Sequence, residues 1–443
     1  MLRLQRLAAD FAKPAFEAYV TEISLVTEEI LFAIKHMYAW ARDHSEASTA
    51  PWIYKLNNPH IRKEPLGTVL IIGPWNYPFH LIMLPFIGAI AAGNTVLLKP
   101  SELAPHTAAV ITAILDQCLD SSCYKTINGP VPQTTALLSH PFAKIMYTGN
   151  ATVGKIVMAA AAKHLTPVIL ELGGKSPAIV TCSADIKLAA KRIAWGKCLN
   201  GAQTCVAPDY ILIDKSVQDE FIAEFKKAVE SFYPNGSCED GVFARIISDR
   251  HFERLEGLLN GSSGQIVFGG NVDSSTRYIS PTLVKDCSPD EEIFGPILPM
   301  VTTSSTLDAI SFVNKWHKCP LALYAFTSDK HEAAIILDNV TSGGATINDT
   351  MMHLAVVGLA FGGVGDSGFG AYRGKCSFDA FTHHRTIFVQ KGRFIEKLLQ
   401  VRYPPYTLSK LSLWKRMSDT KPWFDRAGNE YSLLKRFCKI LGF

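Results

Sequence analysis

The sequence has no run of eighteen apolar residues, so no membrane span is predicted. It has no CxxC and no paired cysteine framework. Ten cysteines are scattered along 443 residues, the pattern of free thiols in a reducing compartment. The thirteen histidines never fall at HxxxH or HExxH spacing, which argues against a metal site. No compact apolar core followed by small residues opens the chain, so no secretory signal is expected. Glu17, Glu22, Glu28 and Glu29 argue against a long transit peptide. A cytoplasmic location follows as the expectation, and the NGS sequons at Asn235 and Asn260 are then expected to go unused. Charge is scarce too. Charged residues are 19% of the chain and the net charge is +4, which gives no reason to seek nucleic acid. That charge is uneven: twelve Lys/Arg stand against four Asp/Glu from Lys391 onward, so only the tail is basic enough to approach anionic lipid.

What is present is apolar, at 48% of the residues, and long enough for two or three domains. Helical spacing of apolar residues predicts helix over residues 1–43, with Pro14 breaking or starting it. Residues 44–65 read as a linker or extended arm. From Leu66 the pattern changes. "LGTVLIIGPWNYP", "NTVLLKP", "FAKIMYTG" and "TPVILELGG" are buried strands alternating with helix-like stretches. That alternation predicts an α/β chain with a parallel doubly wound sheet, which takes ligands beyond the carboxyl ends of its strands. A second α/β set begins near Lys175, with "SPAIVT", "DYILID", "ALYAFTS" and "GATIND" as strands. No internal repeat or low-complexity tract is found.

Several residues sit where chemistry would want them. "YTGNATVGK" places Gly149 and Gly154 between a strand and a helix, whose free N–H groups suit a phosphate. This turn is not GxGxxG, and an ordinary strand–helix turn explains it as well. Lys99 ends a buried strand, where its ammonium needs solvent, a ribose hydroxyl or a phosphate. Glu171 ends "PVILE" and is a candidate general base, or a salt-bridged structural glutamate. Asn76, on the "GPWNYP" turn, has an amide able to hold an oxyanion, or is a plain turn asparagine. Cys205, in "LNGAQTCVAPDY", is one thiol among ten, favoured as nucleophile only by its turn context.

Longer motifs carry a resemblance. "PWNYPFHLIMLPFIGAIAAGNTVLLKPSE", "KHLTPVILELGGKSP", "QTCVAPDYIL", "EEIFGPILP", "KCPLALYAF", "FGGVGDSGFGAY" and "SFDAFTHHR" together resemble the aldehyde dehydrogenases, most closely their class 3 branch of fatty, medium-chain and aromatic aldehyde oxidisers. The similarity runs from about Ala8 to Pro405. It implies a Rossmann-like NAD-binding domain (1–43 and 66–172), an α/β catalytic domain (173–375), a small β oligomerisation arm (44–65 and 376–405) that makes homodimers, and a basic tail (406–443).

The resemblance also implies roles. Cys205 would be the nucleophile, Asn76 with the Cys205 N–H the oxyanion hole, and Glu171 the base that activates water. NAD or NADP would lie against Gly149, Asn150, Ala151, Thr152, Val153 and Gly154, with Lys99, Glu102 and Glu292 at its riboses and Phe294 near the nicotinamide. Tyr77 and Trp195 would wall an aldehyde tunnel. Ala202 stands where the family has glycine; at positive φ an alanine there would cost about 1 kcal/mol. The segment before Glu292 is several residues shorter than usual, and the family's first helices have no counterpart. A catalytically impaired relative that keeps dinucleotide binding, or a thiol esterase, are the alternatives. The tail has no CaaX box, since Cys438 is sixth from the end; "YSLLKRFCKILGF" reads as a short basic amphipathic stretch, a weak membrane-surface helix or a solvated one.

Overall fold

Aliphatic runs become strands because both faces of a parallel sheet are covered. The computed structural model describes residues 9–50, 52–55, 57–287, 291–390, 393–417 and 423–435. Its first sheet uses Thr68–Ile72 (β1), Thr95–Lys99 (β2), Tyr124–Thr126 (β3), Lys144–Gly149 (β4) and Val168–Leu172 (β5). The second uses Pro177–Val180 (β6), Tyr210–Asp214 (β7), Gln265–Phe268 (β8), Thr282–Lys285 (β9), Ile297–Thr303 (β10), Ala322–Phe326 (β11) and Gly344–Ile347 (β12). Gly368–Phe369 (β13) returns to the first sheet. The principal helices are Leu25–Ala41 (α1), His80–Ala91 (α2), Pro105–Cys118 (α3), Ala151–Ala162 (α4), Ile186–Cys198 (α5) and Gln218–Phe232 (α6).

The first sheet has the order β13-β5-β4-β1-β2-β3. Strands β1 to β5 are parallel, and β13 is antiparallel to β5. The chain runs outward from β1 to β3, then resumes on the other side at β4. The switch point therefore lies between β1 and β4, where an open sheet leaves a crevice past its carboxyl ends. Val69, Leu70 and Ile71 are fully buried, each such side chain contributing about 1.5–3 kcal/mol. The second sheet has the order β8-β9-β10-β7-β6-β11-β12, with only β8 antiparallel. The doubly wound α/β pattern expected from the sequence is present in both sheets.

The N-terminal segment is less uniform than its periodicity predicts. Residues 1–8 lie outside the described residues. Pro14, which lacks an N–H, precedes a helical stretch of Ala15–Ala18, and the chain then runs as a π-helix over Tyr19–Ser24 before α1. Glu22 in the π segment is buried, and its carboxylate accepts the N–H groups of Phe79 and His80 at 3.0 Å each, capping α2. Lys13 neutralises it at 2.7 Å.

The chain separates into two compact units, Met1–Trp40 with Glu64–His383, and Ala41–Lys63 with His384–Phe443. A three-stranded sheet of His44–Ser45, His60–Pro65 and Thr382–Ile387 falls mostly in the second unit. Residues 44–65, expected as linker or arm, thus contribute two strands and the helical turn Trp52–Lys55. The unit also has a small apolar cluster of Leu399, Val401 and Met417, and a helix Leu408–Met417 (α7) that exposes Leu408, Leu411 and Leu413. Of the expected amphipathic tail stretch, residues 436–443, including Cys438, lie outside the described residues. No described helix is long and apolar enough to cross a membrane, and among the described residues no cluster suits a metal ion.

Candidate active site

The carboxyl ends of four strands deliver four of the candidate residues. Beyond β1 the turn from Gly73 carries Asn76, which is buried. Strand β2 ends in Lys99, β4 in Gly149, and β5 carries Glu171 in register with Thr148 on one side and Gly368 on the other. The close passage of β13 needs a glycine: Gly368 has φ 119°, and a Cβ there would overlap the Leu170 carbonyl.

Cys205 follows α5 through an unusual loop. Asn200, Gly201 and Ala202 take φ values of 57°, 60° and 56° in succession, three left-handed residues in a row. Ala202 does adopt the conformation that favours glycine, and it is fully buried. What holds the loop is a closed set of hydrogen bonds. The Asn200 side chain donates to the carbonyls of Asn76 at 3.0 Å and Gln203 at 3.1 Å. Asn76 Nδ2 donates to the same Gln203 carbonyl at 3.0 Å. Gln203 Nε2 donates to the carbonyls of Asn200 and Arg245, and its Oε1 accepts the Ile247 N–H at 3.0 Å. The Tyr77 and Thr204 hydroxyls meet at 2.7 Å. These hydrogen bonds, made by Asn76, Asn200 and Gln203 within a buried loop, favour one conformation and offset the alanine strain, although Asn200 Oδ1 is left without a partner among the described residues.

The electrostatics around the thiol are one-sided. Glu171 is 1% exposed, and neither of its oxygens has a hydrogen-bond partner among the described residues. Burial pushes its pKa up to about 7; the Cys205 thiol and Thr148 hydroxyl face it without hydrogen-bond geometry and offset part of that shift. It is not a salt-bridged structural glutamate. Burial, followed by the charges of Glu171 and Glu292, drives the Cys205 thiol well above its ordinary value. Its own backbone N–H pulls the other way. The resting pair is therefore a protonated thiol beside a carboxylate whose pKa lies near neutrality. All nine described cysteines are free thiols.

Of the candidate cofactor residues, Lys99 and Glu102 come together. Lys99 is 2% exposed and donates to Glu102 at 3.2 Å and to the Pro100 carbonyl at 2.8 Å. Asn150 caps α4 by accepting the Val153 N–H at 3.0 Å, leaving Ala151 and Thr152 exposed on the first turn. Gly154 lies against Leu172, where a Cβ would not fit. Glu292 is held by the Gly174 N–H at 3.2 Å, in a cradle that a Cβ on Gly173 would fill. Burial and the nearby Asp209 raise its pKa to about 8. Phe294 packs edge-on against Trp75 at 5.4 Å.

Tyr77 and Trp195 both line an apolar cavity of about 290 Å³ that reaches Cys205, with Phe16, Val20, Leu81 and Phe361 among its other walls. Sequence reasoning missed three groups here. Glu17, Asn200 and Gln203 fix the loop, and the only signal for Glu17 was a charge set among apolar residues of a helix pattern. Lys197 is a fourth: buried, with no partner at its ammonium among the described residues, and lowered by burial to about 8.

Comparison with known proteins gives one answer. The aldehyde dehydrogenase family model matches residues 5–387. The dimeric NADP-preferring aldehyde dehydrogenase of Rattus norvegicus is 46% identical over 404 residues, covering 90% of this chain and 88% of that protein. Aldehyde dehydrogenase family 3 member A2 of Mus musculus is 46% identical over 416 residues, covering 92% and 84%. A solved substrate-bound state of Staphylococcus aureus AldH superposes with a TM-score of 0.89 at 43% identity, covering 94% of this chain and 90% of that one. With its fold, its thiol–carboxylate pair and these relatives, the chain belongs to the aldehyde dehydrogenase family, and it is an NAD(P)-dependent enzyme that oxidises aldehydes.

Proposed function

We infer that Cys205 is the nucleophile, Glu171 the general base and Asn76 the oxyanion donor for oxidation of medium-chain, long-chain or aromatic aldehydes to carboxylic acids. The observation that carries this is the apolar cavity ending at a thiol that faces an unpartnered buried carboxylate. The thiol is a poor nucleophile while protonated. Glu171, with a pKa near 7, takes its proton as sulfur adds to the carbonyl carbon. The oxygen that gains charge is then held by Asn76 Nδ2 and the Cys205 N–H. NAD or NADP, when bound, accepts the hydride. The acyl group stays on Cys205 as a thioester. Glu171, having passed its proton to solvent, deprotonates the water that releases the acid.

The residues fit such a cofactor. Lys99 with Glu102 presents a cation and a carboxylate to a ribose at the carboxyl end of β2. The exposed first turn of α4, from Gly149 through Asn150, Ala151, Thr152 and Val153 to Gly154, offers N–H groups to a pyrophosphate. Glu292 serves a ribose of the cofactor and Phe294 the nicotinamide end. The rat relative is named as NADP-preferring and dimeric, which supports NADP use and a homodimer here, with residues 44–65 and 376–405 as the arm and 1–43 with 66–172 and 173–375 as the two larger domains. The free thiols support a cytoplasmic location. Exposed Leu408, Leu411 and Leu413 beside Lys410, Lys415 and Arg416 support a weak peripheral membrane contact.

The test is a rate assay with aldehydes of increasing chain length and with benzaldehyde, each with NAD and with NADP. Turnover that improves with chain length supports the reading. Normal nucleotide binding without reduction of either nucleotide would overturn it. Liposome binding that survives removal of residues 406–443 would rule out the tail as the membrane contact.

A further inference from the structure

The N-terminal segment reaches the nucleophile loop through one carboxylate. Glu17 accepts the backbone N–H of Asn200 at 2.9 Å. Asn200 is the first of the three left-handed residues, and its side chain ties the Asn76 carbonyl to the Gln203 carbonyl. An asparagine in this conformation is tolerated but not self-sustaining, so its N–H partner is part of what holds it. Glu17 itself is tightly placed. It lies in the helical turn Ala15–Ala18, just before the π-helix from Tyr19, and its carbonyl accepts the Thr21 hydroxyl at 2.7 Å. Burial raises its carboxyl pKa above the ordinary value, and the Asn200 N–H and the Lys13 ammonium offset part of that shift. Phe16 and Val20, on either side of it in the chain, are walls of the apolar cavity.

We propose that Glu17 is a positioning residue for the reaction: through Asn200 it sets the loop that aims Cys205 and Asn76 at the same carbonyl. It lines the cavity, but among the described residues it makes no hydrogen bond to the thiol or to the Asn76 amide. Its effect runs along a continuous path, from the Glu17 carboxylate to the Asn200 N–H, then through the Asn200 amide to both the Asn76 and the Gln203 carbonyls. Removing or withdrawing the acceptor leaves a buried N–H unpaired. A shift of about an ångström in the reacting atoms costs up to roughly 100-fold in rate. The proposal rests on Cys205 as nucleophile.

Three variants test it. Glu17→Ala removes the acceptor. Glu17→Asp keeps the charge but withdraws it by one methylene. Glu17→Gln keeps an acceptor oxygen at the original reach. Acetaldehyde is the substrate, because it is too short to use the Phe16 and Val20 walls. Active sites are counted by the burst of reduced nucleotide, so that misfolded protein does not enter the rate. The expected result is a burst rate constant and kcat lowered roughly 10- to 100-fold in Glu17→Ala and Glu17→Asp, with KM for acetaldehyde changed less than about twofold, and Glu17→Gln within about threefold of wild type. If Glu17→Ala does not fold, the comparison of Glu17→Asp with Glu17→Gln decides alone. Wild-type burst rates in Glu17→Asp, or a Glu17→Gln variant as slow as Glu17→Asp, would overturn the proposal. Cys205→Ala distinguishes the two levels. Turnover in that variant removes the nucleophile assignment and this proposal together, whereas an inactive Cys205→Ala beside a full-rate Glu17→Asp removes only the positioning role.

Discussion

The Asn76 side-chain amide donates to the Gln203 carbonyl at 3.0 Å, two residues before the Cys205 thiol. The oxyanion donor and the nucleophile loop are thereby one rigid assembly, although they come from different strand ends. Asn76→Ala removes both the donor and this brace, and kcat is expected to fall about 10²–10³-fold. Asn76→Asp keeps the shape but turns a donor into a carboxylate that repels an oxyanion, so it should be at least as slow. Steady-state kinetics check both, and a kcat within threefold of wild type for either would remove Asn76 from the mechanism.

Glu171 sets the pH dependence. Its pKa is raised to about 7 from an ordinary 4.5, chiefly by burial. A base must be ionised, so kcat should climb with pH up to about 7 and then level. Stability moves the opposite way. A carboxyl whose folded pKa is raised favours the folded state fully below the unfolded value near 4.5, and that advantage is lost as pH rises through about 7. Glu171→Gln lacks the ionisation. Its unfolding free energy should therefore gain on wild type between pH 4.5 and 7 by about 2–3 kcal/mol and stay constant above. Urea titrations at pH 4.5, 6 and 8 check this; a gap that shrinks with rising pH contradicts it.

Ala202 carries backbone strain that the surrounding hydrogen bonds contain. Its φ is 56° and it is fully buried. Ala202→Gly relieves the Cβ clash and should raise stability by about 1 kcal/mol, with kcat close to wild type because Gln203, Asn200 and Asn76 still define the loop. Denaturant unfolding together with kcat measures both. A large gain in kcat would mean that the alanine mis-aims Cys205.

The apolar cavity makes a prediction about substrate length. Trp195 lines it and remains partly exposed. Trp195→Ala removes apolar contact from a long aldehyde but not from a short one. KM for decanal should rise about tenfold while acetaldehyde is unaffected, in proportion to the lost contact area. Equal changes for both aldehydes would place Trp195 outside the chain-binding wall.

Much of this architecture was legible in the sequence because buried parallel strands leave continuous aliphatic runs, and "TVLII", "TVLLK" and "VILEL" became β1, β2 and β5 with little else to compete. Glu171 was legible for the same reason: a carboxylate on an apolar strand must be paired or perturbed, and here it is perturbed. Ala202 was legible as a conditional expectation, since only backbone geometry could show that the position is left-handed. Glu17 was not. Its partner Asn200 lies 183 residues away, and nothing in a periodic helix pattern distinguishes a solvent-facing glutamate from one that has turned inward. The loop's hydrogen bonds escaped for the same reason, because they join Asn76, Gln203, and Arg245 with Ile247, across three separate segments. Lys99 and Glu102, three residues apart, were within reach of local reasoning.

The central claim is that one of the ten cysteines, Cys205, carries the acyl group and Glu171 releases it. In Glu171→Gln, acylation should slow, because the Cys205 thiol has lost its proton acceptor, and hydrolysis should stall. Mixing that variant with an aldehyde and nucleotide, then measuring the intact protein and its peptides by mass spectrometry, reads the claim directly. The account predicts a single equivalent of reduced nucleotide, formed more slowly than in the wild type, and one acyl group per chain, on the peptide containing Cys205. An acyl group on any other cysteine, or continued turnover with none bound, would contradict it.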